Sequence, residues 1–179
     1  MATIWTRLAQ IGNEALELIV KKHFRRQPGA VFAVPLPTGG YGYGRVLDKL
    51  MAFYDVRTCK ISSVEDIIKC SVLFTTAVHI SALTSGNWLL IGYAPLESKF
   101  RSIVRFFRKN PSGPGFMIYE SVPTPANAYN EFAASAKDCR GLEPLLVWDA
   151  DQIGERLEDH FSGRKNIHLS QFLEQLEAE

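Results

Sequence analysis

The glycine run Gly40-Tyr41-Gly42-Tyr43-Gly44 has the composition of a phosphate cradle but not its grammar. It lacks both the G-x-G-x-x-G spacing and a G-K-[ST] end. It also leads into a β-patterned stretch, where a cradle would open a helix whose free amides hold the phosphate. Cys70 and His79 offer a thiol and a base, but no motif surrounds the cysteine, and a thiolate needs its base within hydrogen-bond reach. A buried structural cysteine is the expectation. Asp149-Ala150-Asp151 sets two carboxylates close together, as some divalent-metal sites do. The same pair has a simpler use, with Asp149 as a helix N-cap and Asp151 as first-turn charge against the helix dipole. His23, His79, His160 and His168 stand singly, with no HExxH. Cys59, Cys70 and Cys139 contain no CxxC pair, so neither a disulfide framework nor a four-ligand zinc site is indicated. The expectation is a chain without catalytic residues, bound metal or cofactor.

One stretch points to binding. Lys99–Lys109 interleaves basic residues with Phe100, Phe106 and Phe107, a mixture suited to neutralising phosphates and stacking on bases. A nucleic-acid-binding accessory domain using this patch is the alternative reading. Against it stands a net charge of only +1, where a basic domain would be expected. That near-neutral total hides an asymmetry. Residues 1–142 carry 17 Lys/Arg against 10 Asp/Glu, and residues 143–179 carry 3 against 9. A basic body and an acidic tail either attract partners of opposite sign or fold against each other and cancel.

The elements that position these residues follow from periodicity. Ile4, Leu8, Ile11, Ala15 and Ile19 mark one stripe of an amphipathic helix running to Phe24, weakened at Gly12-Asn13, where Asn13 can cap a restart. Ala30–Val34 and Tyr41–Leu47 read as a β-hairpin around Pro35–Gly40. Strand alternation puts Tyr41, Tyr43, Arg45 and Leu47 on one face and Gly42, Gly44 and Val46 on the other. Two glycines on one face imply something large lying across it. Further strands are expected at Ala52–Val56, Ser71–Ile80, Trp88–Tyr93, Phe116–Val122 and Leu145–Trp148. Lys99–Lys109 is open between strand and helix. Ser62–Glu65 has capping-box spacing before a short helical run, Asp149 caps a helix bearing Ile153, Leu157 and Phe161, and Ser170 caps a last one.

The run Gly29–Leu47, GAVFAVPLPTGGYGYGRVL, resembles the opening of the bacterial immunity protein family twenty-six of the polymorphic-toxin classification. Trp88–Leu96, WLLIGYAPL, is similar to a second feature of that family, an aromatic-led strand ending in Gly and Pro-Leu. The likeness spans roughly residues 27–122. It implies an intracellular, non-catalytic protein that binds and neutralises a cognate toxin domain, for example a nuclease.

Together the residues and the resemblance predict one α+β domain over 1–179. A curved, barrel-like antiparallel sheet of about five or six strands is flanked by an N-terminal helix and C-terminal helices. Its parts are a helical segment over 1–27, a β-rich core over 28–148 and an acidic helical segment over 149–179. Tyr41, Tyr43 and Arg45 are the expected aromatic and Arg anchors of the toxin interface. Asp149, Asp151, Glu155, Glu158 and Asp159 are its expected charges. No apolar run approaches the length of a membrane span. The sequence start lacks a standard secretion signal, and the cysteines suit a reducing compartment, so a cytoplasmic location without membrane attachment is expected.

Overall fold

The computed structural model describes residues 24–121 and 129–178. The expected helix over Ile4–Phe24 lies outside these residues except for Phe24, which is buried in the main core. The chain forms strands β1 (Ala30–Pro35), β2 (Tyr41–Val46) and β3 (Met51–Thr58), then helix α1 (Val64–Ile67), strand β4 (Val72–Val78) and helix α2 (Ser81–Thr84). Strand β5 (Leu89–Tyr93) and a 3-10 turn at Ser98–Arg101 follow, then β6 (Val104–Lys109), β7 (Phe116–Ser121) and β8 (Tyr129–Ala134). Helix α3 (Ala136–Cys139), strands β9 (Glu143–Pro144) and β10 (Val147–Trp148), and helices α4 (Ala150–Phe161) and α5 (Ile167–Glu177) complete the described chain.

The class is α+β as expected, but the architecture is not one barrel-like sheet. Two sheets form, one of six strands in the order β10-β4-β3-β2-β1-β5 and one of four in the order β8-β7-β6-β9. The second sheet arises because β6 pairs with β7 and β9 and not with β5. Closure fails because β5 and β10 remain the two edges of the first sheet. Nor is the pairing wholly antiparallel: the two-residue strands β9 and β10 each run parallel to their neighbours. The undecided Lys99–Lys109 stretch is mostly the strand β6.

The first sheet is covered on both faces. Phe32, Val34, Val46, Met51 and Phe53 pack with Trp88, Trp148, α2 and Ile153 and Leu157 of α4. On the opposite face Val31, Ala33, Tyr43 and Tyr54 pack with Ile67 of α1. The glycine face of β2 is filled as its composition demands. Gly44 lies opposite Phe32 on one side and Phe53 on the other. A Cβ there would come within 2.5 Å of the Phe32 ring, and one at Gly42 within 2.9 Å of Leu157 Cδ1.

Arg156 of α4 joins the two sheets. Its guanidinium carbon lies 3.7 Å from the centre of the Phe74 ring and 5.0 Å from that of Trp148. Its two Nη groups donate to Glu143 of β9 at 2.8 and 2.7 Å. The caps are partly as expected. Asp149 caps α4, its N–H donating to Gln152 Oε1 at 3.0 Å. The α1 cap is Ser63, one residue beyond the expected start of the box. Helix α5 begins at Ile167 under Asn166, whose Oδ1 accepts from the Leu169 N–H, so Ser170 is a helical residue and not a cap.

The packing at β2 makes a prediction. Phe32 is held by Trp88, stacked at 4.8 Å, so its ring cannot yield to a methyl, whereas Leu157 Cδ1 ends a flexible side chain. Gly44→Ala is expected to cost about 1–3 kcal/mol and Gly42→Ala less, in the range for overpacked cores. Urea denaturation of both variants checks the order. Equal or reversed losses would contradict the aromatic lid over Gly44.

Candidate functional site

The hairpin turn between β1 and β2 is built for rigidity. Leu36 N–H donates to Gly40 O at 3.1 Å and Gly39 N–H to Leu36 O at 3.0 Å. Gly39 and Gly40 adopt φ of 96° and 79°, a region that glycine enters without the steric cost a Cβ brings. Arg57 of β3 then ties this turn to α4. Its Nη2 donates to Thr38 Oγ1 at 2.9 Å and Gly39 O at 3.0 Å, and its Nη1 donates to Glu158 Oε1 at 3.2 Å. Glu158 is only 2% exposed and also accepts from Ser162 Oγ at 3.0 Å. Burial by itself would raise its pKa, but the hydrogen bonds from Thr38 and Ser162 and the charge of Arg57 prevail and hold the carboxyl below its usual range.

This tie fixes an open groove of about 540 Å³ between the turn and α4. Pro35, Leu36 and Pro37 form one wall, Asn87 and Trp88 contribute from the chain before β5, and Asp151, Gly154 and Glu155 form the wall on α4. Asp151 and Glu155 are four residues apart and so share one helix face, about 6 Å apart along the axis. At Gly154 the helix backbone comes close to the strand end, since a Cβ there would lie 3.6 Å from Pro35 O. The groove therefore offers apolar surface beside two exposed carboxylates. Asp149 stands exposed at the cap, two residues before Asp151.

The expected site residues separate into two groups. Asp151 and Glu155 line the groove, and Asp149 adjoins it. Asp159 lies about one turn beyond Glu155 on α4, held by Arg164 Nε at 2.9 Å and Asn166 Nδ2 at 3.0 Å. Tyr41 is half-buried beside the Tyr43 and Tyr54 cluster. Tyr43, Arg45 and Glu158 are interior, which corrects their reading as contact residues: a side chain without surface cannot touch a partner of the folded protein. The Tyr43 hydroxyl accepts from the Ser62 N–H at 3.0 Å, and Thr58 Oγ1 lies 2.5 Å away. Arg45 donates to Ala94 O at 2.8 Å, Pro95 O at 2.5 Å and Glu97 Oε2 at 2.7 Å, clamping the chain after β5 onto the sheet. Alternation placed these residues on one face correctly, but that face is covered. The sequence gives no sign of the groove's other parts: Pro35 and Pro37 stand exposed at its wall, the buried Leu36 and Trp88 form its floor, and Arg57 ties the turn from behind; all but Arg57 fall in the runs that carried the family resemblance.

Other chemistry is not assembled. Cys70 and His79 flank opposite ends of β4, roughly 30 Å apart at strand rise. No group of three or more His, Cys, Asp or Glu is placed to hold a metal ion among the described residues. In the basic stretch, Phe106 and Phe107 are buried, Arg105 pairs with Glu120, and Arg108 pairs with Glu131. Those two rings are therefore not offered for base stacking. Among the described residues, no helix is long and apolar enough to cross a membrane.

A mixed scaffold of two sheets presenting a rigid, acidic-walled groove has the form of a protein-binding module. The sequence profile described as Immunity protein 26 matches residues 27–117, just over half of the chain, and the chain belongs to that family. Toxin neutralisation by binding is the general role that this membership carries. No curated protein and no solved structure matches the chain. The matched stretch holds the Pro35–Pro37 wall, Arg57 and Trp88, whereas the carboxylates of α4 lie beyond it.

Glu158 gives this site a pH signature. A carboxyl held below its unfolded pKa contributes stability that is present above the ordinary carboxylate range and lost as pH falls through the folded value. The stability difference between the wild-type protein and Glu158→Gln is expected to shrink as pH is lowered from neutrality through that range. Denaturant titrations across pH check it, and a difference independent of pH would contradict the ionised tie to Arg57.

Proposed function

We propose that this protein binds and neutralises a cognate toxin domain, capturing a basic surface of that domain in the groove between Pro35–Pro37 and α4. The observation that carries this reading is the charge left standing on α4. Among the described residues, Glu158 is the single carboxylate of the 143–179 tail that pairs with a Lys or Arg of the body, through Arg57. Asp149 and Asp151 have no ion-pair partner there, so among the described residues the acidic charge at this wall of the groove is not met by a basic side chain. Glu155 engages only His168, at 3.3 Å, which is an ion pair only when the imidazole is protonated.

A groove with apolar and anionic walls suits a Lys or Arg side chain, whose aliphatic stem and charged head have the same division. Acidic charge around it draws a basic partner in and speeds encounter, as blocking a toxin before it acts requires. A nuclease domain, basic because its substrate is polyanionic, fits that description. Such capture works by occupancy, needs neither catalysis nor cofactor, and is suited to the cytoplasm in which a toxin would act.

The test is co-expression with the C-terminal domain encoded immediately upstream, followed by titration of the purified pair. Relief of toxicity and saturable binding are expected. The double variant Asp151→Lys/Glu155→Lys is expected to weaken binding about 100-fold, largely through slower association at low salt, whereas Glu65→Lys on α1 leaves it unchanged. Undiminished affinity in the double variant would remove the groove as the docking site, and failure of the wild-type chain to relieve toxicity would remove that domain as the partner.

A further inference from the structure

We propose that a second crevice, between the start of β4 and the facing sides of α4 and α5, is a binding site for an organic carboxylate with an apolar body. This is independent of the toxin groove. The crevice measures about 460 Å³, within the range of small-molecule sites. The tail segment 143–179 contains only three Lys/Arg residues, Arg156, Arg164 and Lys165, in a stretch that otherwise carries nine carboxylates. All three line this one crevice, joined by His160. Such convergence runs against the charge of the whole segment.

The cations are not equally engaged. Arg156 is buried with both Nη groups on Glu143, so its charge is met within the fold and the donors left to face a ligand are those of Arg164 and Lys165. Arg164 spends its Nε on Asp159, and a guanidinium has four further N–H donors. Lys165 has no ion-pair partner among the described residues. His160 directs Nε2 at Asp55, 2.8 Å away, leaving Nδ1 as its other ring nitrogen. Leu73, Phe74, Leu169 and Leu173 supply apolar lining.

Two carboxylates, Glu174 and Glu177, also line the crevice. They lie about 12 and 16 Å along α5 from Asn166, at 1.5 Å per residue. The cations Arg164 and Lys165 precede the first turn of α5, and the two carboxylates stand in its last turns. The basic end is thus a separate anion site, with an apolar floor leading away from it. A free small acid and the C-terminal end of a peptide share this chemistry.

Octanoate, octanol and octylammonium are the probes, titrated against the full chain and followed by methyl NMR at Leu169 and Leu173. Octanoate is expected to shift these signals saturably and to bind about tenfold tighter than octanol, with octylammonium weaker still. Lys165→Glu is expected to weaken octanoate by about tenfold without changing octanol affinity or the unfolding midpoint, and Lys165→Arg to retain it. A peptide ending in a free leucine carboxylate, compared with its amide, identifies the source: preference for the acid assigns the site to chain ends, and binding of octanoate alone assigns it to free acids. No saturable shift with either acid, equal binding of octanol and octanoate, or indifference to Lys165→Glu would overturn the proposal.

Discussion

The position of α4 against both sheets rests on one guanidinium. Arg156 lies against Phe74 of the first sheet and reaches Glu143 of the second with two hydrogen bonds, while its own backbone belongs to α4. Three layers meet in one planar group whose fork geometry matches a carboxylate and whose faces match aromatic rings. Lysine could supply the charge but neither the second hydrogen bond in that geometry nor the stacking plane. With α4 fixed here and by the buried contacts of Ile153 and Leu157, its outer face presents Asp151 and Glu155 at a set distance from the hairpin turn.

A second constraint acts at the other wall of the groove. Arg57 holds the Thr38–Gly39 turn and Glu158 at once, so the turn and the helix are tied through one side chain. A binding surface positioned by two such ties loses little freedom when it is occupied, and preorganisation of this kind favours affinity. The charge pattern completes the device. Buried members of the acidic set are consumed by the fold, and exposed members remain available to a partner.

The sequence made some of this legible and concealed the rest for physical reasons. Strand alternation separated Gly42 and Gly44 from Tyr43 and Arg45, and the demand for a large neighbour over the glycines is met by Phe32, Phe53 and Leu157. The same alternation reports only which side chains share a face, not whether that face is covered, and so Tyr43 and Arg45 were misplaced at a surface. The α4 cap was readable because Asp149 immediately precedes the apolar spacing of its helix. Asn166 and Ser170 are both good cap types, and the structure uses Asn166, whose Oδ1 accepts from the Leu169 N–H. Strand β10 lies within the apolar run Leu145–Trp148 that alternation reports, but the two-residue strand β9 is too short for periodicity to register, and no local pattern reports that either one pairs parallel with its neighbour or that β6 and β9 join a second sheet.

Hydrogen exchange of the protein alone and in complex with its cognate toxin domain tests the central claim most directly, because it maps the contact without altering a residue. The account predicts that added protection concentrates in Leu36–Thr38, Asn87–Trp88 and the first two turns of α4. Protection confined to the outer strand β8 or to β6, with these three segments unchanged, would contradict it.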